Sequence, residues 1–189
     1  MLHKKVLFLI GNYGTGGKER QLTEIIRSLS HERYDLHLFM KCDNSYYFKS
    51  INENLTSYHS LNKRKFNFID ILKLKQFIHF IQPDVVFSFS STLSHYAQLL
   101  KIFRIFTYRL INGSIRNSPI DFNVYMKIER LLYNFYGEVV ANSKSGLEAY
   151  RQHNRKGRYV LHNGFNLNRI PSLTNLQIRK KLGMNESFI

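Results

Sequence analysis

Cysteine is nearly missing from this 189-residue sequence: Cys42 stands alone, so no disulfide can close within the chain. That usage suits a reducing, cytoplasmic setting, and without an activating neighbour Cys42 reads as a small hydrophobe. Long apolar runs are also missing. After the basic Met1–Lys5 stretch, only Val6–Ile10 is continuously apolar, which is too short for a secretory signal, and no small-residue cleavage site follows. No run approaches the roughly 20 apolar residues that span a bilayer. A soluble or peripheral protein is expected. Repeats and low-complexity tracts are absent as well.

Acidic residues are scarce. Thirteen Asp and Glu face 28 Lys and Arg, a net charge of +15. No acid lies between Asp84 and Asp121, where Lys101, Arg104, Arg109 and Arg116 occur, and none between Glu148 and Glu186, where eight bases occur. Such an excess favours an anionic partner: phosphate groups, anionic lipid or nucleic acid. A basic solvated surface without a partner accounts for it equally. The chain is 43% hydrophobic, with 15 Phe and 12 Tyr, enough to build the core of one domain.

Short apolar runs alternate with helical periodicity along the chain. Lys5–Ile10 ends at Gly11 as a buried parallel strand would. A helix over 17–30 follows, with Leu22, Ile25, Ile26 and Leu29 on one face. Burying those four side chains is worth about 6–12 kcal/mol before entropy is charged. Strands are predicted at 34–40, weakly at 55–61, and at 84–89, 108–111, 138–141 and 158–161. Helices are predicted at 69–81, 93–104, 123–136 and 143–153. In the helix over 123–136, Ile128, Leu131, Leu132 and Phe135 fall in helical register as an apolar stripe. The alternation predicts an α/β fold, a Rossmann-like doubly wound parallel sheet of about six to seven strands. Ligands of such sheets sit at the carboxyl ends of the strands. The chemistry is therefore sought in 11–17, 88–92, 112–119, 142–145 and 162–166. After Pro171 the texture changes, and Thr174–Gln177 has a capping-box pattern opening a short helix that Gly183 would close.

Gly11-Asn-Tyr-Gly-Thr-Gly-Gly17 joins the first strand to the first helix. Glycines there let backbone approach a ligand, and the helix start presents free N–H groups. A P-loop is excluded, because Asn12 stands where its first glycine belongs and Glu19 where Ser or Thr belongs. A dinucleotide fingerprint starting at Gly14-Thr-Gly16 fails because Glu19 replaces its third glycine. A looser phosphate-approaching loop and a plain tight turn both remain open.

Five segments together resemble the N-terminal domain of the family 4 glycosyltransferases, of GT-B architecture. They are Gly16-Gly-Lys-Glu-Arg20, Gln82-Pro-Asp-Val-Val86, Glu138-Val-Val-Ala-Asn-Ser143, Val160-Leu-His-Asn-Gly164 and Arg179-Lys-Lys-Leu-Gly183. The resemblance implies that residues 1–171 form an acceptor-side Rossmann-like domain. Residues 172–189 would form a hinge and the start of a C-terminal donor-binding domain that is not included. It implies retaining transfer from a nucleotide-sugar to a saccharide acceptor, lipid-linked in cell-surface polysaccharide synthesis, without metal or cofactor. Gly16 and Gly17 would donate N–H bonds to the donor diphosphate. Tyr13, Asn112, Ser114, Arg116 and Ser143 are the candidates for acceptor or sugar contacts. Many members carry a histidine where this chain has Ile111-Asn-Gly-Ser-Ile-Arg116, so no catalytic residue is assigned. The family's Asn-Gly-Val-Asp reads Asn-Gly-Phe-Asn166 here. The chain alone is expected to be inactive.

Lys63, Arg64, Lys65, Phe66 and Phe68 mix bases with aromatics before a helix carrying Lys73, Lys75, Phe77 and Phe80. This patch is a candidate contact with an anionic membrane on its cytoplasmic face. Nucleic acid is not expected, because zinc-finger, RNP-type and basic recognition-helix signatures are absent. The alternatives are a non-catalytic nucleotide- or phosphate-binding Rossmann-like module, or a basic membrane-binding domain. His95 reads as a helix residue and not as a base.

Overall fold

A computed structural model describes residues 3–29, 31–42, 46–62, 67, 69–164 and 175–183. Seven strands form one parallel sheet in the order β3-β2-β1-β4-β5-β6-β7. They are β1 (Lys4–Asn12), β2 (Tyr34–Cys42), β3 (Ser57–Ser60), β4 (Val85–Ser88), β5 (Arg109–Ile115), β6 (Glu138–Ala141) and β7 (Arg158–Val160). The helices are α1 (Gly17–Ser28), α2 (Tyr46–Lys49), α3 (Ile69–Ile81), α4 (Ser91–Ile102), α5 (Val124–Leu132), α6 (Lys144–Ala149) and α7 (Asn175–Lys181). Single 3-10 turns occupy Asn52–Asn54 and Tyr133–Phe135. The alternation read from the sequence is the Rossmann-like fold observed, and α2 is the element it missed.

The two faces of the sheet are covered by different helices. Val6, Phe8 and Ile10 point to one side and pack with Leu22 and Ile26 of α1 and with Phe48 and Ile51 around α2. Leu7 and Leu9 point to the other, against α3 (Leu74, Ile78, Ile81), α4 (Leu93, Ala97, Leu100), Tyr133, Tyr136 and Leu147 of α6. This alternation is the period-two geometry of a strand buried on both faces. At β5 the strand outlasts its predicted length. Asn112 still pairs with Ser88 and Val139, and the register slips between Asn112 and Ile115. Asn112–Ser114 are therefore strand residues, not the loop beyond it.

Helix α5 turns its apolar stripe outward. Its inward side chains are Glu129 and then Tyr133 in the following turn, exposed 5% and 1%. Val124, Ile128, Leu131 and Phe135 face outward, with exposures of 74%, 51%, 63% and 70%. Periodicity located the helix but not which face the protein buries.

Candidate functional site

The carboxyl ends of β1, β4, β5 and β6 lie side by side in this sheet, and α1, α4 and α6 follow β1, β4 and β6 there. Two are capped by serine: Ser90 accepts from the Leu93 N–H at the start of α4, and Ser143 from the Gly146 N–H at the start of α6. The third, α1, begins after Gly16, which has no side chain to offer, so its first N–H groups carry no side-chain cap. Glu19, 4% exposed, lies close by: a Cβ on Gly16 would fall 2.5 Å from Glu19 Oε2. No atom lies within 4 Å of a Cβ built on Gly14 or Gly17, so the loop stays open on those sides.

The β5 segment reaches this loop through Arg116. Its Nη1 donates to Gln21 Oε1 at 2.6 Å, spanning 95 residues to α1, and its Nε donates to Gly113 O at 2.7 Å. The guanidinium lies 4.3 Å from the Phe89 ring centroid. Its Nη2 is buried without a hydrogen-bond acceptor among the described residues. Burial lowers the Arg116 pKa to about 10, which leaves it charged at neutral pH. Gly113 is required here. A Cβ would meet Phe87 Cε2 at 2.5 Å, Arg116 Nη2 at 3.0 Å and Ser88 O at 3.2 Å. Asn142 ties in β6 by donating from Nδ2 to Arg116 O at 3.2 Å.

A buried polar network lies beneath this edge, between α4 and α5. Asn112 Oδ1 accepts from Ser114 N at 3.1 Å and Ser114 Oγ at 2.7 Å, and Ser114 Oγ meets Tyr133 OH at 2.9 Å. His95 Nδ1 meets Tyr136 OH at 2.6 Å, while His95 Nε2 faces Glu129 Oε1 at 3.8 Å. Burial raises the Glu129 carboxyl, but His95, Ser91 and Tyr125 outweigh it and hold the group below its ordinary value. Burial pushes the Tyr133 and Tyr136 hydroxyls up, so both stay protonated donors.

The structure brings Gly16, Gly17, Arg116 and Ser143 to one edge of the sheet, with Asn112 and Ser114 just beneath it. Tyr13 is turned the other way. It is 1% exposed, its hydroxyl lies 2.9 Å from Thr23 Oγ1, and its ring packs edge-on against Phe48. Asn112 is fully buried, so its amide shapes β5 and does not face a ligand. Lys63, Arg64, Lys65, Phe66 and Phe68 lie outside the described residues. Sequence reasoning missed Gln21, Gly113 and the His95–Glu129 pair. Gly113 alone carried a signal, as a glycine inside a strand marks a close approach.

Residues 15–169 match Glycosyltransferase Family 4. The chain belongs to this family. Among solved structures it is similar to Anabaena HepE in complex with UDP and glucose, at 18% identity and a TM-score of 0.66, covering 96% of this chain and 50% of that one. It is similar to a glycosyltransferase from Rickettsia africae at 16% identity and a TM-score of 0.67, covering 98% and 51%. UDP-GlcNAc 2-epimerase from Methanocaldococcus jannaschii is also similar, at 17% identity and a TM-score of 0.56, covering 85% and 45%. The last shows that this fold also serves a protein that is not a transferase, so the family assignment rests on the sequence match and not on shape. No curated protein matches the sequence significantly. The chain spans about half the length of the solved structures it resembles. Among the described residues, no helix is long and apolar enough to cross a membrane.

Proposed function

We propose that this chain is the acceptor-side half of a retaining glycosyltransferase that moves a sugar from a nucleotide-sugar to a lipid-linked saccharide at the cytoplasmic face of a membrane. A second domain, beginning around residue 172, would hold the donor. The observation that carries this reading is the edge itself: within a family 4 chain, an uncapped helix start and an Arg116 without a carboxylate partner among the described residues share one rim of the sheet. The Gly16 and Gly17 N–H groups donate to the diphosphate as it departs, where a hydrogen bond lowers the barrier most. Glu19 sits at the same helix start, so the diphosphate draws on cationic compensation from Arg116 and Lys18. Ser114, Arg116 and Ser143 contact the acceptor or the sugar. No metal or cofactor takes part, and donor choice lies in the second domain.

Transfer assays test this with UDP-glucose first, a choice prompted by the ligands of HepE. The 189-residue chain alone is expected to release no nucleotide, whereas its fusion to a donor-binding domain transfers sugar with retained anomeric configuration. Turnover by the chain alone would overturn the half-enzyme reading. An inverted product would overturn the retaining one.

A further inference from the structure

Helix α5 is inside out. Its buried side holds a carboxylate and a phenol, Glu129 and Tyr133, and its solvent side holds Val124, Ile128, Leu131 and Phe135 at i, i+4, i+7 and i+11. Ile120, 98% exposed, extends the stripe beyond the helix start. A protein ordinarily gives the apolar stripe of an amphipathic helix to its own core. Here the network with His95 and Tyr136 claims the inner side, and the apolar stripe is left to a partner. The surface continues onto α4. Gln98 Nε2 donates to Phe135 O at 3.2 Å, and one turn further along lie exposed Ile102 and Phe103.

The charge around this surface identifies the partner. Lys101, Arg104 and Lys127 are exposed at its borders, and Arg130 lies 5.0 Å over the Phe122 ring. Glu129, the one acid within α5, is buried, and Asp121 is the one exposed acid just before it. An apolar stripe bordered by bases fits a bilayer with anionic headgroups: the side chains enter the acyl boundary and the bases stay among the phosphates. A second copy fits worse, because a two-fold contact would press one basic border onto its twin. Position agrees as well. Tyr125, in the first turn of α5, lies beside Ser91 and Thr92 at the start of α4, so the stripe begins at the rim carrying the site.

We infer that the outward face of α5, with the end of α4, is the surface by which this protein docks on an anionic membrane, placing the site rim where a lipid-linked acceptor emerges. The inference rests on the proposed membrane location but not on transfer chemistry.

Co-sedimentation with vesicles of phosphatidylcholine, with and without phosphatidylglycerol, tests it. The wild-type chain is expected to partition onto phosphatidylglycerol vesicles and to be released by salt. Ile128→Ser with Leu131→Ser should weaken that partition more than about tenfold, because two inserted apolar side chains are lost. Lys127→Gln should weaken it about fivefold on anionic vesicles only. Tyr159→Ser on the edge strand β7, exposed as much as Ile128 but outside α3, α4 and α5, should leave it unchanged. These side chains are exposed, so matching thermal melts verify that each variant is folded. Wild-type binding by the double variant, or salt-independent binding to pure phosphatidylcholine, overturns the inference. So does a wild-type dimer that the double variant makes monomeric while vesicles bind neither. Absence of sugar transfer by the two-domain fusion, with vesicle binding intact, would strike the transferase reading and leave this one standing.

Discussion

Exchanging the fates of two adjacent residues, Ile128 and Glu129, tests the inverted packing of α5. A helical wheel drawn from the sequence makes Ile128→Ser the damaging change and Glu129→Ala the harmless one. The structure reverses this. Ile128 is half exposed and should cost within about 0.5 kcal/mol as serine. Removing the Glu129 carboxylate takes away the charge that faces His95 Nε2 at 3.8 Å and lies beside Ser91 and Tyr125, in a site only 5% exposed. Leaving such partners unpaired costs about 3–5 kcal/mol in a fully buried pair. His95 retains 25% side-chain exposure and can recover water, so the lower end, about 3 kcal/mol, is expected. With a urea slope of about 2 kcal/mol/M, the midpoint should fall by about 1.5 M. Circular dichroism in urea measures it. The pH dependence gives a second readout. The Glu129 carboxyl is held below its ordinary value, so its stabilisation is complete above the unfolded value and lost as pH falls through the folded one. Wild type and variant should therefore converge only in acid. An Ile128→Ser midpoint lower than that of Glu129→Ala would refute the packing.

Gly113→Ala should destabilise the chain by about 1–3 kcal/mol, since its methyl would overlap Phe87 and approach the Ser88 carbonyl; equilibrium unfolding checks this. Tyr13→Phe should cost about 1 kcal/mol, because Thr23 keeps its bond to the Glu19 carbonyl, and in a two-domain fusion it should leave the acceptor KM unchanged. His37 and His59 are held by burial below the ordinary histidine value of about 6.5, so the unfolded chain binds more protons just beneath that value and stability should drop on acidification below it. A His37→Gln variant should flatten that drop in urea midpoints recorded across the range.

Strand positions and sheet class were legible because each depends on a local signal. β1 is an unbroken apolar run because both its faces are covered, and α3 stops where Pro83 forbids a further turn. The glycine loop was legible for the same reason. Arg116 was legible as a residue type but not as a neighbour of Gln21, because that contact depends on how β5 and α1 meet across 95 residues. Tyr13 shows the opposite failure. Placed in a loop between glycines it resembled a ligand contact, yet Thr23 and Phe48, distant in sequence, offered its hydroxyl and ring a better environment inside.

The outward stripe of α5 and the buried polar network have one cause. A carboxylate enters a core only where several donors await it, and here His95, Ser91 and Tyr125 converge on Glu129 from α4 and from α5 itself. Once those groups occupy the space between the two helices, an apolar stripe has no room there, and α5 must present the stripe to the outside. Replacing Glu129, His95 and Tyr136 jointly by Leu, Leu and Phe should remove the carboxylate together with the imidazole and phenol hydroxyl buried beside it, and so cost less than Glu129→Ala alone. The swap should leave Ile128 and Leu131 still outside. If it instead rotates α5 and draws the stripe inward, seen as loss of dye binding to exposed apolar surface, then the network alone sets the helix orientation.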